Sequence, residues 1–351
     1  FLPIQCAQHN NNNIQLDFSG IDQLSHIIRI LEKNELPDQS EWDLLFKTPG
    51  YEALIESEFI PEYFINAFKL TFMPSMQDSI SIELQKMRGM KKEYLAHILK
   101  LKTEMKAIND QRKYLESSNI FLEATELTKL FLPDHLLNDN IKIPVSFVIF
   151  GNDARGYTPI VIDLLYSIGE EESLKRLIAH EAHHYFRNKN NLISYPGEND
   201  PDFNIIWVCN QLQSEGIADI IDKEVLFFNN GLKEDTKWAV KYRDYFNSSD
   251  SVIYDLDQLF MNYYNDKSLH MELSGKIRNA VPMSGHPTGY FMAKIILEEL
   301  GIEKLIENIN NPFYFIRSYN IAVDQAGKDI SKFSTKSILL INELENKYLI
   351  K

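Results

Sequence analysis

His180-Glu181-Ala182-His183-His184 places two histidines four residues apart, with a glutamate directly after the first. On an α-helix four residues turn the chain by roughly 400°, so His180 and His184 project from nearly the same side. Two imidazoles one turn apart can hold one metal ion, and Zn²⁺ is the usual guest. Glu181 falls about 100° further round. It is then close enough to reach a water at the metal, but too far round to be a natural ligand beside the histidines. A base next to an activated water is what metal-assisted hydrolysis requires.

H-E-x-x-H arises by chance in roughly one or two of a hundred chains of this size, so context has to decide. Glu171 and Glu172 stand ahead of the motif, and apolar residues recur at Leu174, Leu177, Ile178, Ala182 and Tyr185. This is a helical period with an acidic first turn. Glu181 falls close to the middle of that apolar stripe. A carboxylate aimed at a core is costly unless it is paired or working, so a merely solvated face explains it poorly.

A catalytic zinc takes a third protein ligand and keeps one position for water. The metzincin arrangement puts a third histidine six residues past His184, but Asn190 stands there, and Arg187 occupies the place of that motif's glycine. Glu215 lies 31 residues after His184, on a second apolar-periodic helix through Ile205, Val208, Cys209, Leu212 and Ile220. It shares the stripe side with Val208 and Leu212, and Asp219 lies beside it one turn on. Gly216 removes a side chain in mid-helix at a cost of about 1 kcal/mol against alanine. Close approach of the His180–His184 helix is the expected reason.

His180-Glu181-x-x-His184 followed by Glu215-x-x-x-Asp219 resembles the gluzincin metallopeptidases, the group of thermolysin. The wording Ser214-Glu215-Gly216-Ile217-Ala218-Asp219 is closer to uncharacterised bacterial zinc-dependent peptidases. The resemblance covers residues 140–300 and is absent from the first third of the chain. It implies one Zn²⁺ ligated by His180, His184 and Glu215, with Glu181 as general base and Asp219 orienting His180. A ligating histidine commonly gives its other N–H to a carboxylate. In gluzincins a histidine or tyrosine from a later segment donates to the tetrahedral intermediate. His286 and Tyr290, in the Gly- and Pro-rich stretch from Val281 to Phe291, resemble that element in kind. The alternative is a loop histidine and a helix-start tyrosine packing on the core. His183, roughly 60° from His180, reads as a histidine behind the ligands or at the surface.

The 351 residues can build a sizeable core, in one large or two smaller domains. A formal net charge of −14 argues against a nucleic-acid partner, which would meet a basic face. Cys6 and Cys209 make no disulfide framework, and Cys209 reads as a buried small apolar residue. No run of 18 apolar residues exists, so no transmembrane helix is expected. Phe1 to Ala7 is apolar and precedes the polar tract His9–Asn13. Residues 1–13 read as a flexible segment or a signal-peptide remnant cleaved near Ala7, with a lipidated Cys6 as a further alternative. That reading implies export to a bacterial periplasm, cell surface or medium, with a cytoplasmic location as the alternative.

Residues 14–140 read as a helical region: stripes at Ile21–Leu31 and Trp42–Phe46, then short helices over Tyr51–Ile60 and Tyr63–Phe72 separated by Pro61. Phe59, Phe64, Phe68 and Phe72 are spaced for a core. Gln77–Tyr114 reads as one long helix with a seam at Tyr94, Ile98, Leu101, Met105 and Ile108, and His97 as a structural histidine beside it. Phe121–Phe131 is a further helix. Residues 141–351 form the catalytic region and its helical scaffold. Ile143–Phe150 and Tyr157–Leu165 read as two strands. One lies toward a sheet edge, where free backbone groups could pair with an extended peptide. Helices follow over Lys233–Phe246, Val252–Asn265 and Leu269–Asn279.

The expected fold is mainly α (α+β), with a small edge-strand sheet and two metal-bearing helices. The expected function is peptide-bond hydrolysis on a peptide or protein substrate, by a zinc-bound water activated by Glu181. The alternatives are a zinc hydrolase of a non-peptide amide or ester, and a metal-free helical binding module.

Overall fold

The computed structural model describes residues 14–57, 59–136, 143–151, 153–169, 171–229, 236–307 and 309–350. The expectations for residues 1–13, the Cys6 alternative among them, fall outside that set. The fold is mainly α with one small sheet. The chain divides into two compact units that interleave along the sequence. The first takes Phe1–Thr125 and Asp139–Tyr185, the second Glu126–Asn138 and Phe186–Lys351. The division thus falls inside the helix of the His180–His184 motif, well past residue 140.

In the first unit, β1 (Ile14–Asp17) leads into α1 (Ser19–Glu32), α2 (Gln39–Phe46), α3 (Pro49–Ser57), α4 (Pro61–Phe72), α5 (Ile80–Lys86) and α6 (Met90–Ser117). Helix α7 (Ile120–Lys129) ends across the boundary. Then come β2 (Ile143–Val148), β3 (Ala154–Arg155), β4 (Ile160–Asp163) and α8 (Glu171–Lys189). Local chemistry sets several ends. Asp38 and Glu41 form a capping box on α2, and Pro61 opens α4, where its missing N–H is harmless. The long helix expected over Gln77–Tyr114 is broken. A 3₁₀ turn, Pro74–Ser79, and α5 precede it, and Gly89 at φ +56° interrupts the chain before α6. That conformation belongs to glycine, so the interruption falls there.

The sheet has four strands in the order β1-β2-β4-β3. β1 and β4 run parallel to β2, and the two-residue β3 is antiparallel to β4 at the edge. Two of these strands, β1 and β3, are too short to show an alternation in sequence. β4 is buried throughout, as a central strand of a parallel pair must be. Phe46, Tyr51, Phe59, Phe64, Phe68 and Phe72 form one aromatic cluster of the core. Tyr51 donates its hydroxyl to the Ile149 carbonyl at 2.7 Å. Gly50 lets α3 lie on β2: a Cβ there would come within 2.8 Å of Val148 and 2.9 Å of Ser146.

The second unit is built around α9 (Asp202–Lys223), which is buried along most of its length. It packs against α12 (His270–Ala280), α13 (His286–Leu300) and α15 (Pro312–Ala326). The other helices of the unit are α10 (Lys237–Asn247), α11 (Ser249–Asn265), α14 (Ile302–Ile306) and α16 (Thr335–Tyr348). Backbone meets backbone where α9 crosses α13. A Cβ on Gly216 would fall 2.3 Å from the Gly289 carbonyl oxygen, and one on Gly289 2.3 Å from that of Leu212. The mid-helix glycine is therefore explained by α13, not by the His180–His184 helix as expected. No helix among the described residues is long and apolar enough to cross a membrane.

Candidate metal centre

The motif lies on α8 as its spacing requires, with acids in the first turn of the helix and Arg187 and Lys189 in the last. His180, Glu181 and His184 are all buried. The two imidazoles stand edge to face with centroids 4.7 Å apart, and their Nε2 atoms are 3.0 Å from each other. Two ring nitrogens turned toward one point are the donor arrangement that a single cation draws together. The first unit also carries the chain past this face. Directly after edge strand β3, a Cβ on Gly156 would lie 2.7 Å from the His184 Cβ and 3.0 Å from the Glu181 Oε2. Only glycine lets the backbone come this close to the motif. No local pattern in the sequence marks Gly156, whose role depends on a contact 25 residues away.

In the second unit, α9 carries a carboxylate pair. Asp219 is fully buried and Glu215 partly so. Asp219 accepts from the Tyr242 hydroxyl at 2.6 Å, and the His286 Nδ1 lies 3.1 Å from it. The other ring nitrogen of His286 is 3.4 Å from the Glu215 Oε2. His286 thus spans the two carboxylates that are one helical turn apart. It is delivered there by a turn in which Met283 (φ +48°), Ser284 (φ +54°) and Gly285 (φ +93°) are all left-handed, after which His286 opens α13. For a non-glycine residue such backbone costs about 1–2 kcal/mol, and strain of that kind collects at functional sites. Lys223, buried one turn beyond Asp219, pairs with Asp222, stands 3.7 Å from Asp219, and lies against the rings of Phe227 and Trp238.

Tyr290 is placed apart from this cluster. It is fully buried among Phe228, Tyr242 and Phe246, and its hydroxyl donates to Glu224, which also receives Lys294. Burial and the Asp219 carboxylate push the Tyr242 hydroxyl well above its ordinary pKa, so it is a fixed donor. Arg187 is buried as well, with Nη2 donating to Asn210 and Gln213 at 2.8 Å each. Burial pulls its pKa down to about 10, against the opposing effect of Tyr195 and Glu215. Cys209 is a buried free thiol pushed up to about 12 by burial, in keeping with its apolar role. Tyr242, Gly156 and the Arg187 amide cradle were not visible in the sequence. Lys223 was readable in principle, being four residues after Asp219.

Comparison with known proteins then bears on what these side chains serve. The model of a family described as "Putative zinc dependent peptidase (DUF5700)" matches residues 42–328. The chain belongs to this family. The match takes in the helical part from α2 onward as well as the motif, so in this family the helical first third is not a foreign attachment. Neither the curated proteins nor the solved structures contain a match.

Proposed function

We propose that the chain is a zinc metallopeptidase of gluzincin type, in which His180, His184 and Glu215 hold one Zn²⁺. Each offers one ligand atom, an imidazole nitrogen or a carboxylate oxygen. The observation that carries the reading is the buried His180–His184 pair with converging Nε2 atoms, in a chain of a zinc-peptidase family. Two nitrogens and one carboxylate are a donor set that suits Zn²⁺ and leaves a position for substrate chemistry. When bound, the ion supplies a Lewis acid for the scissile carbonyl and lowers the pKa of a water toward about 7.

The chain's own residues do the rest. Glu181 takes a proton from the attacking water and returns it to the leaving amine. Its place in the apolar stripe beside Gly156 limits competing solvent and keeps the carboxylate in one orientation. Asp219, fixed by Tyr242, orients a ligand histidine and holds the His286 Nδ1. His286 is the donor candidate for the oxyanion because it stands at Glu215, whereas the Tyr290 hydroxyl is engaged by Glu224.

The test is metal content by elemental analysis, wild type beside Glu215→Ala, followed by hydrolysis of a peptide library. About one zinc per chain is expected, lost in the variant. A wild type that binds no zinc after incubation with the ion would end this reading.

A further inference from the structure

The first unit contains a cavity of about 400 Å³ between α3, α6 and the turn that follows β2. This is within the range of small-ligand and side-chain sites. One wall is apolar, from Leu54, Phe59 and Phe150, with Met90 at the exposed rim. The polar wall is made by Glu93, His97 and the residues of β3 and its approach, Asp153 and Arg155. The next residue in the chain is Gly156, which lies against Glu181 and His184. Strand residues advance about 3.3 Å each. A peptide laid along edge strand β3 would therefore set a side chain at the cavity within a few residues of the bond facing Glu181.

The polar wall carries acceptors beside Tyr94 and one paired cation. Buried His97 holds the Asp163 carboxylate through Nε2 at 2.8 Å. That carboxylate is fully buried and also accepts the backbone N–H groups of Phe150, Gly151 and Tyr166. A carboxylate so surrounded by donors is an acceptor, so the His97 Nε2 carries the hydrogen, and in the neutral ring Nδ1 is an acceptor. The His97 ring makes no other hydrogen bond among the described residues. Glu93, on the same helix one turn earlier, is exposed at the rim, and its carboxylate makes no hydrogen bond or ion pair with a described residue. Arg155, the one cation of the wall, is ion-paired with Asp153. What remains is a surplus of negative charge and of lone pairs above an apolar slot.

We propose that this cavity is a specificity pocket that receives a lysine or arginine side chain of the peptide substrate. The aliphatic stem lies along Phe59, Leu54 and Met90, and the charged head meets Glu93 and the His97 Nδ1. The proposal rests on the peptidase reading for its role, though not for the binding itself. It also gives the helical first third a task, since α6 together with Leu54 and Phe59 supplies most of the pocket.

Two measurements on the full zinc-loaded chain test it. The first is binding: Nα-acetyl-lysine amide and its norleucine counterpart are titrated against chain carrying ¹³C-labelled histidine. The His97 resonance is assigned by its loss in His97→Leu. The lysine compound is expected to move that resonance saturably and the norleucine compound to leave it in place. Glu93→Gln, at an exposed position that should not disturb folding, is expected to weaken the response about tenfold or more. The second is cleavage of peptide pairs that differ only by lysine or norleucine, scanned through the positions flanking the cut. At one position the wild type should favour lysine in kcat/KM by about tenfold or more, and Glu93→Gln should bring the ratio near one. A His97 response to lysine without cleavage of any peptide would keep the basic-group pocket and sink the peptidase reading. Cleavage with no lysine preference and no His97 response would overturn the pocket and leave the peptidase reading intact.

Discussion

His180 and His184 meet because an α-helix repeats every 3.6 residues, whereas Asp219 meets Tyr242 and His286 across separations of 23 and 67 residues. The α8 half of the candidate residues and the α9 half are thus built by different means. On α8 the helix period brings the ligand pair together, and one distant requirement, Gly156, clears the face. On α9 the carboxylates depend on a strained turn, on a tyrosine from α10 and on two glycines that let α9 and α13 touch. A metal motif is thus easily written on one helix, while its supporting partners require a whole packed unit. Variants in the first half should change chemistry with little change in fold; variants in the second should change both.

The sharpest contrast comes from Glu181→Gln. It is expected to retain zinc and a near-normal melting temperature while losing about 10²–10⁴ in kcat on any cleaved peptide. Elemental analysis, calorimetry and steady-state kinetics together check this, and undiminished hydrolysis would remove the general-base role. Next is Gly289→Ala, which forces a Cβ into the Leu212 carbonyl with no flexible side chain to yield. A stability loss of about 3 kcal/mol or more is expected from chemical denaturation. Wild-type stability would mean that the second half does not rely on the α9–α13 approach.

Tyr242→Phe removes the hydroxyl that donates to buried Asp219 while keeping the ring in its aromatic cluster. Loss of such an outer partner commonly lowers metal affinity about 10–100-fold. Competition with a chromophoric chelator reads this directly, and an unchanged affinity would show that Asp219 needs no help from α10. The smallest effect is expected far from the centre, at Asp202. Burial alone would raise its pKa, but the hydrogen bonds from Lys347, Tyr263 and Tyr348 outweigh it and lower the value. A depressed folded pKa gives stability that is present above the unfolded value near 4 and is lost as pH falls through the folded value. Asp202→Asn should therefore cost roughly 1 kcal/mol near neutral pH and progressively less in acid. Denaturation curves at several pH values would show the difference closing, and a constant difference would assign the loss to packing.

Much of the α8 half was legible in the sequence. The acids at Glu171 and Glu172, the apolar period through Tyr185 and the motif itself predicted a helix presenting two imidazoles, and α8 has that form. Most helices of residues 14–136 were legible for the same reason, since their ends are marked by Pro49, Pro61 and the Asp38 cap. The sheet was legible only in part. β2 and β4 announce themselves by β-branched runs, but β1 (Ile-Gln-Leu-Asp) has a single β-branched residue and β3 only two residues in all. His97 looked like a structural histidine because its partner, Asp163, is 66 residues away.

By itself the sequence determined the helical character of the chain, the His180–Glu181–His184 face and the candidacy of Glu215 and Asp219. The first two follow from periodicity and residue chemistry within one or two turns, where geometry is nearly invariant, and the last from the resemblance of the two motifs to gluzincins. Only the tertiary structure decided that Gly216 exists for Gly289, that Gly156 exists for Glu181 and His184, and that Tyr290 answers to Glu224 while His286 answers to Asp219. Such pairings join residues far apart in the chain, and no local pattern encodes them. They are chosen by close packing, which tolerates neither an extra Cβ between touching backbones nor a buried polar group without a partner.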